Sequence, residues 1–291
     1  MQAGDTALTQ LLKRDRVVVA AALAVLALLA WAYVLWLSAR MAIPMDLPAA
    51  APADGMAGMD VAGMDMAGID MGGASGGLEP AFRAWAPADL AFMFAMWSVM
   101  MVGMMTPSVA PMVLLYAAAG RKAAESGAPL ASTGWFFAGY LAVWIGFSGL
   151  ATLAQWVLTS FVLLTPMMAT ASPVLGGIVL VAVGLYQWTP LKDTCLRACQ
   201  SPLGFLMKHG GFRAEPLGAV RLGMAHGAYC LGCCFALMAL LFVGGIMNVL
   251  WIAGLTILIL LEKIVPAGRL IPRVSGALIG AAGIWLLIGA A

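Results

Sequence analysis

The chain is 291 residues long, 63% hydrophobic and only 10% charged, with a mean hydropathy of +0.99. Water-soluble globular chains are nearer half apolar and a quarter charged. This composition therefore excludes a cytosolic enzyme or a disordered regulator and implies an all-α, polytopic membrane helical bundle, while a net charge of +2 is too mild for a nucleic-acid binder.

Apolar runs of about 20 residues are long enough to cross a bilayer as helices. Seven are read in chain order: 17–39, 90–118, 132–160, 172–190, 218–243, 247–265 and 274–290. They divide the chain into a cytoplasmic N-terminus with a first transmembrane anchor (1–40), a disordered Met/Asp/Gly-rich periplasmic loop (41–87), and a six-helix membrane domain (88–291).

The first run follows Lys13, Arg14 and Arg16, as a signal peptide would. It is longer than a signal peptide's apolar core and ends in Trp31, Tyr33 and Trp36, so an uncleaved anchor is expected, with a cleaved signal as the alternative. An N-terminus in the cytoplasm places 13 of the 15 basic residues inside, leaving only Arg40 and Arg83 outside. The expected location is a bacterial inner (plasma) membrane, crossed several times.

The outer segment 41–77 has no hydrophobic period, and its Gly, Ala and Pro content cannot bury enough surface to fold alone. It repeats a Gly-Met-Asp theme through Met56, Met59, Asp60, Met64, Asp65, Met66, Asp70 and Met71. Thioethers select Cu(I), and interspersed carboxylates attract cations or hold Cu(II), so these residues are candidates for metal capture. A plain spacer is the alternative, against which the methionine enrichment argues.

The second run continues the theme. Met93, Met96, Met100 and Met104 share one stripe at 100° per residue, and Met101, Met105 and Met112 share another. Pro107 and Pro111 are expected to kink this helix and free backbone carbonyls. Methionine is also an ordinary gap-filler in cores. A soft-ligand path gains weight because the outer segment and this run hold 14 of the 21 methionines.

In the fifth run, His226, Cys230 and Cys233 fall at i, i+4 and i+7 on one helical face, with Cys234 turned further round. Three thiols and an imidazole at mid-membrane are a ligand set for Cu(I) or Zn(II), and ionisable groups at that depth mark function by default. At a rise of about 1.5 Å per residue, one unbroken helix cannot wrap all four around a single ion. Either the helix opens at Gly227 or Gly232, or neighbouring helices complete the site, with Met100, Met101, Met104 and Met105 as the natural partners. Glycines at 223 and 227, and at 276 and 280, give small-xxx-small spacings for close helix approach.

Cys195 and Cys199 are read in a cytoplasmic loop, as a secondary thiol pair for metal drop-off or redox exchange, alongside Met93 and Met96 as secondary ligands of the path. His209 is read as a loop residue that alternatively joins them. Glu262 and Lys263 are read as a structural ion pair with each other. Haem is a poor fit, because there is no C-x-x-C-H and the chain holds only two His.

These motifs resemble a bacterial family of predicted metal-binding integral membrane proteins, a domain of unknown function. The resemblance covers about residues 88–290 and rests on MWSVMMVGMMTP at 96–107, on 190–202 with its two cysteines, and on 226–238. It extends to GIMN at 245–248 and EKIVP at 262–266. Phe235 stands where the pattern has Trp. The resemblance implies metal binding and names neither metal nor reaction.

The leading expectation is a copper-handling membrane protein in copper transfer, transport or cuproenzyme metallation, with Cu(I) favoured over zinc. Its partners would be the bilayer and a copper chaperone or membrane cuproenzyme. Two alternatives stand beside it: a membrane thiol-disulfide oxidoreductase using Cys230 and Cys233, and a non-catalytic assembly subunit of a membrane oxidase. These residues carry no nucleotide-binding motif, so ATP-driven pumping is not expected of them, and the enzyme question leans to no.

Overall fold

In the computed structural model, residues 2–41, 86–127, 129–161, 163–164, 168–265 and 268–290 are described, with the backbone alone over 2–16 and at 41. The outer-loop candidates Met56, Met59, Asp60, Met64, Asp65, Met66, Asp70 and Met71 lie outside the described residues. The described chain is helical throughout: α1 (Gln2–Met41), α2 (Pro87–Glu125), α3 (Thr133–Ser160), α4 (Pro173–Tyr186), α5 (Pro190–Gln200), α6 (Pro202–Lys208), α7 (Pro216–Ala239), α8 (Leu241–Gly244), α9 (Val249–Ile264) and α10 (Leu270–Gly289). Its only extended pairing among the described residues is one isolated bridge, Leu164 to Thr170.

Among the described residues, five helices are long and apolar enough to cross a membrane: Val17–Arg40 of α1, then α2, α3, the α7–α8 stretch and α10. The expected run at 172–190 is α4, and α5 lies in the stretch read as a cytoplasmic loop; the two helices are bent by 65° and pass as a span only as a pair. The bend has a local cause. Thr189 caps α5 by accepting from the Lys192 backbone N–H, and Pro190 opens the new helix at its first position, where it cannot continue the old one. The run at 247–265 becomes the 16-residue α9, about 24 Å long at 1.5 Å per residue and shorter than a hydrocarbon core. Against an expected seven spans, helix length and apolarity among the described residues support five, or six with the bent pair.

The outward faces are apolar. On α1, Val18, Leu28, Leu29 and Trp36 are exposed, while Leu23, Ala30, Val34 and Leu37 form a stripe at spacings of seven, four and three toward α2. α10 likewise exposes Leu278, Ile284, Trp285 and Ile288. Large apolar residues on the outside are what a lipid-facing surface requires.

Close packing sets the bundle's interior. α3 crosses α7 so tightly that a Cβ on Gly223 would stand 2.0 Å from the Phe136 carbonyl oxygen, and one on Gly139 would stand 2.1 Å from that of Val220. The expected small-residue contacts at Gly276 and Gly280 are made with α4, at Gly184. α7 and α9 are joined through Gly245, whose φ of 92° suits glycine, and Asn248 caps α9 by accepting from Trp251 N–H. The fifth and sixth runs meet at this turn, across which the Trp251 indole N–H donates to the Leu240 carbonyl at 2.7 Å. α2 runs on through Pro107 and Pro111, and nearby hydroxyls take up carbonyls: Thr106 bonds Val102 O at 2.6 Å and Ser108 bonds Met105 O at 2.9 Å.

Candidate metal centre

All of Met93, Met96, Met100, Met101, Met104, Met105 and Met112 are buried, so both expected stripes of α2 face the interior. α7 is continuous from Pro216 to Ala239, which removes the expectation that it opens at Gly227 or Gly232. Gly232 acts differently. A Cβ there would lie 2.7 Å from the Cys195 sulfur, so its absence lets α5 settle against α7.

That contact gathers the thiols. Cys195 and Cys199, one turn apart on α5, both face α7, and Cys199 Sγ stands 3.9 Å from Cys233 Sγ. Cys233 Sγ is 3.2 Å from Cys234 Sγ and donates to the Cys230 carbonyl at 3.1 Å. The pair read as a separate loop site is therefore on a packed helix, with one member joined to the main cluster. Cys230, Cys233 and Cys234 are each 1% exposed.

Cys230 has partners from two further helices. Lys263 Nζ of α9 donates to Cys230 Sγ at 2.9 Å and to Ser108 Oγ at 3.1 Å. The Tyr140 hydroxyl of α3 lies 3.1 Å from the same sulfur and 3.3 Å from the Met105 carbonyl. A lysine ammonium has only donors to offer, and a buried cation needs a counter-charge. Cys230 as thiolate supplies one, and the thiolate is also the form that binds metal.

The expected Glu262–Lys263 ion pair is not formed. Consecutive residues on a helix point in different directions, and these two diverge. Glu262 instead accepts from Lys192 Nζ at 2.7 Å, from Gln187 at 3.0 Å and from Ser275 at 3.3 Å, all buried. This buried polar network, in which the Gln187 Oε1 alone lacks a partner among the described residues, fastens α9 to α4, α5 and α10 beside the thiols.

His226 sits apart from the thiol contacts. Its ring is boxed by Phe205 at 4.9 Å, Phe136 at 6.0 Å and Tyr140 at 6.1 Å, and its Nδ1 is buried without a hydrogen-bond partner among the described residues. His209 stacks on Phe205 at 4.2 Å and lines a cavity of about 610 Å³ with Arg213, Glu215 and Arg221, so it does not join Cys195 and Cys199.

Among the described residues, no three His, Cys, Asp or Glu side chains stand ready to hold one ion together. The single cage of His226, Cys230, Cys233 and Cys234 is not formed. The reason is the helical rise, which carries seven residues about 10 Å along the axis. The thiols form close pairs instead. Two sulfurs bound at about 2.3 Å to one tetrahedral ion stand roughly 3.8 Å apart, and the Cys199–Cys233 separation of 3.9 Å matches that spacing.

Sequence reasoning missed Tyr140 and Ser108, and it misassigned Lys263. A lysine next to a glutamate in a span invites pairing by adjacency, whereas helical phase argues against it. An intramembrane lysine is itself a functional signal.

No curated protein and no solved structure matches this chain. A family model described as "PpoB2: Copper chaperone" matches residues 94–286, more than half of the chain and every one of its cysteines. The chain belongs to this copper chaperone family.

Proposed function

We propose that this protein is an integral membrane carrier of Cu(I) that receives the ion through soft ligands and holds it on the thiol cluster for transfer to an acceptor. The carrying observation is the convergence of Cys199 from α5 with Cys230, Cys233 and Cys234 from α7, under the ammonium of Lys263. Thiolates are the soft ligands that select Cu(I), and membership of a copper chaperone family supports copper as the cargo.

Within this reading, the bundle lies in a bacterial inner membrane with its N-terminus in the cytoplasm. The loop methionines and carboxylates capture copper outside, and Met100, Met101, Met104 and Met105 line the way inward. Cys195 and Cys199, on the basic side of the bundle, pass the ion to a carrier or a cuproenzyme. His226, boxed by aromatic rings and with an unpartnered nitrogen, is a reserve ligand that the loaded site recruits by a small rotation.

Anaerobic Cu(I) competition on detergent-purified protein tests the reading, with Zn(II) in parallel and a Cys230/Cys233/Cys234→Ser variant beside wild type. Tight Cu(I) binding that the variant loses is the expected result. Equal binding by the variant, or a preference for Zn(II), overturns it.

A further inference from the structure

A second cluster lies at the other end of α2. Gln155 of α3 is 1% exposed, and its side-chain nitrogen donates to two thioethers at once: Met168 Sδ at 3.1 Å and Met93 Sδ at 3.6 Å. Its oxygen accepts from the Trp97 indole N–H at 2.7 Å, and Trp97 is fully buried against Phe242 at 5.4 Å.

Two features of this cluster are costly unless they serve a ligand. An amide buried in an apolar helix loses its hydration, and thioether sulfur is a weak acceptor that returns little of it. Met168 has a φ of 56°, and it is the only non-glycine residue among the described ones in the left-handed region. A long side chain there is strained, and the strain is met where the Met168 sulfur reaches the same nitrogen as Met93.

We propose that Met93 and Met168 form a separate, lower-affinity Cu(I) receiving site, in which the Gln155 amide holds the two thioethers apart when no metal is bound. This rests on the reading of the protein as a soft-metal carrier and adds a site at the opposite end of the methionine ladder. The Gln155 nitrogen marks the position the ion takes, because it already has both sulfurs as neighbours. Displaced, the amide stays anchored through its oxygen, which accepts from the Trp97 indole N–H. Two neutral thioethers leave the charge of Cu(I) uncompensated, so the site releases its ion readily to the thiolates. About 12 residues of α2 separate Met93 from Met105, roughly 18 Å at 1.5 Å per residue, with Met96, Met100, Met101 and Met104 buried between them. In sequence, the Met/Asp repeats come just before α2, on the side where Met93 lies.

The test uses the full chain in detergent with ¹³C-methyl methionine, titrated with Ag(I) as a redox-inert stand-in for Cu(I). Resonances are assigned by Met93→Leu and Met168→Leu. Both methyls are expected to shift after the thiols have filled, and each Leu variant is expected to abolish the other's shift. Gln155→Met, which places a third thioether at the same spot, is expected to bring both shifts to lower Ag(I) concentration. Met93 and Met168 methyls that stay unmoved at Ag(I) concentrations well beyond those that fill the thiols overturn this site and leave the thiol reading intact. Shifts that persist in the Cys230/Cys233/Cys234→Ser variant support the site, even where that variant shows the thiol reading to be wrong. Independent responses of the two methyls, or a Gln155→Met variant that binds no better than wild type, also overturn it.

Discussion

The two ends of the methionine ladder solve the problem of burying polar groups in opposite ways. At the thiol end, formal charges are buried and each is answered: Lys263 by Cys230, and Lys192 by Glu262. At the thioether end, Gln155, Trp97, Met93 and Met168 carry no formal charge and meet one another through an amide and an indole. The difference bears on what each end can hold. Thiolates neutralise a monovalent soft cation, whereas thioethers only solvate it. On the proposed reading, the gradient along α2 would run from weak, exchangeable ligands to strong ones, the direction an acceptor-bound ion would follow.

Both ends depend on the same helix crossing, and that is where the comparison breaks most completely. In Gly223→Ala the new Cβ meets the Phe136 carbonyl at 2.0 Å, so α3 and α7 must separate, taking Tyr140 from Cys230 and disturbing Gln155 on the same helix. Loss of monodisperse protein on size exclusion is expected, with neither end binding metal. Gly146→Ala, where no neighbour lies within 4 Å, is expected to elute as wild type.

The next effect singles out the thiol end. Lys192→Met leaves the Glu262 carboxylate buried without its cation, which costs about 3–5 kcal/mol in comparable pairs. Equilibrium unfolding in mixed micelles with SDS reads the loss. Adding Glu262→Gln is expected to recover most of it, since a neutral amide still reaches Ser275 and Gln187. A double variant as unstable as the single one would mean that the network, and not the charge, sets the cost.

The helical class, the methionine stripes and the shared helical face of Cys230 and Cys233 were legible in the sequence, because each depends on composition or on the fixed angle between residues on one helix. Met93 to Met112 all turned inward as their two stripes require. What was not legible depends on where helices meet. Cys199 reaches Cys233 only because Gly232 admits α5, and no local pattern announces that contact. The end of α4 was legible, since the apolar run stops at the Thr-Pro pair at 189–190, but α5 beyond it was read as a loop. Met168 was passed over because it belongs to a loop, and its role depends on a left-handed backbone that methionine does not advertise.

Lys263→Leu sharpens the contrast without unfolding either end. The substitution removes the cation that holds the Cys230 sulfur, so Cu(I) binding by the thiols is expected to weaken about tenfold, the usual scale for removing an outer-shell partner. Competition titration measures it, and the Met93 and Met168 methyl shifts are expected to stay where they were. Thiol affinity equal to wild type would show that Lys263 merely fills space beside Ser108 and Tyr140.

The smallest effect is expected at the other ion pair of α5. Arg269 meets Asp193 at 2.8 Å, nearly the length of the Lys192–Glu262 contact, yet the arginine side chain is 52% exposed. Similar geometry does not mean similar worth. Solvent screens an exposed pair, and ordering two long side chains offsets much of what remains, so Arg269→Ala should cost no more than about 1 kcal/mol. The same SDS unfolding measurement compares it directly with Lys192→Met, at low and high salt. A loss approaching that of Lys192→Met would show that α5 is held at its exposed end, and that the position of Cys199 against Cys233 depends on Asp193 as much as on the buried glutamate.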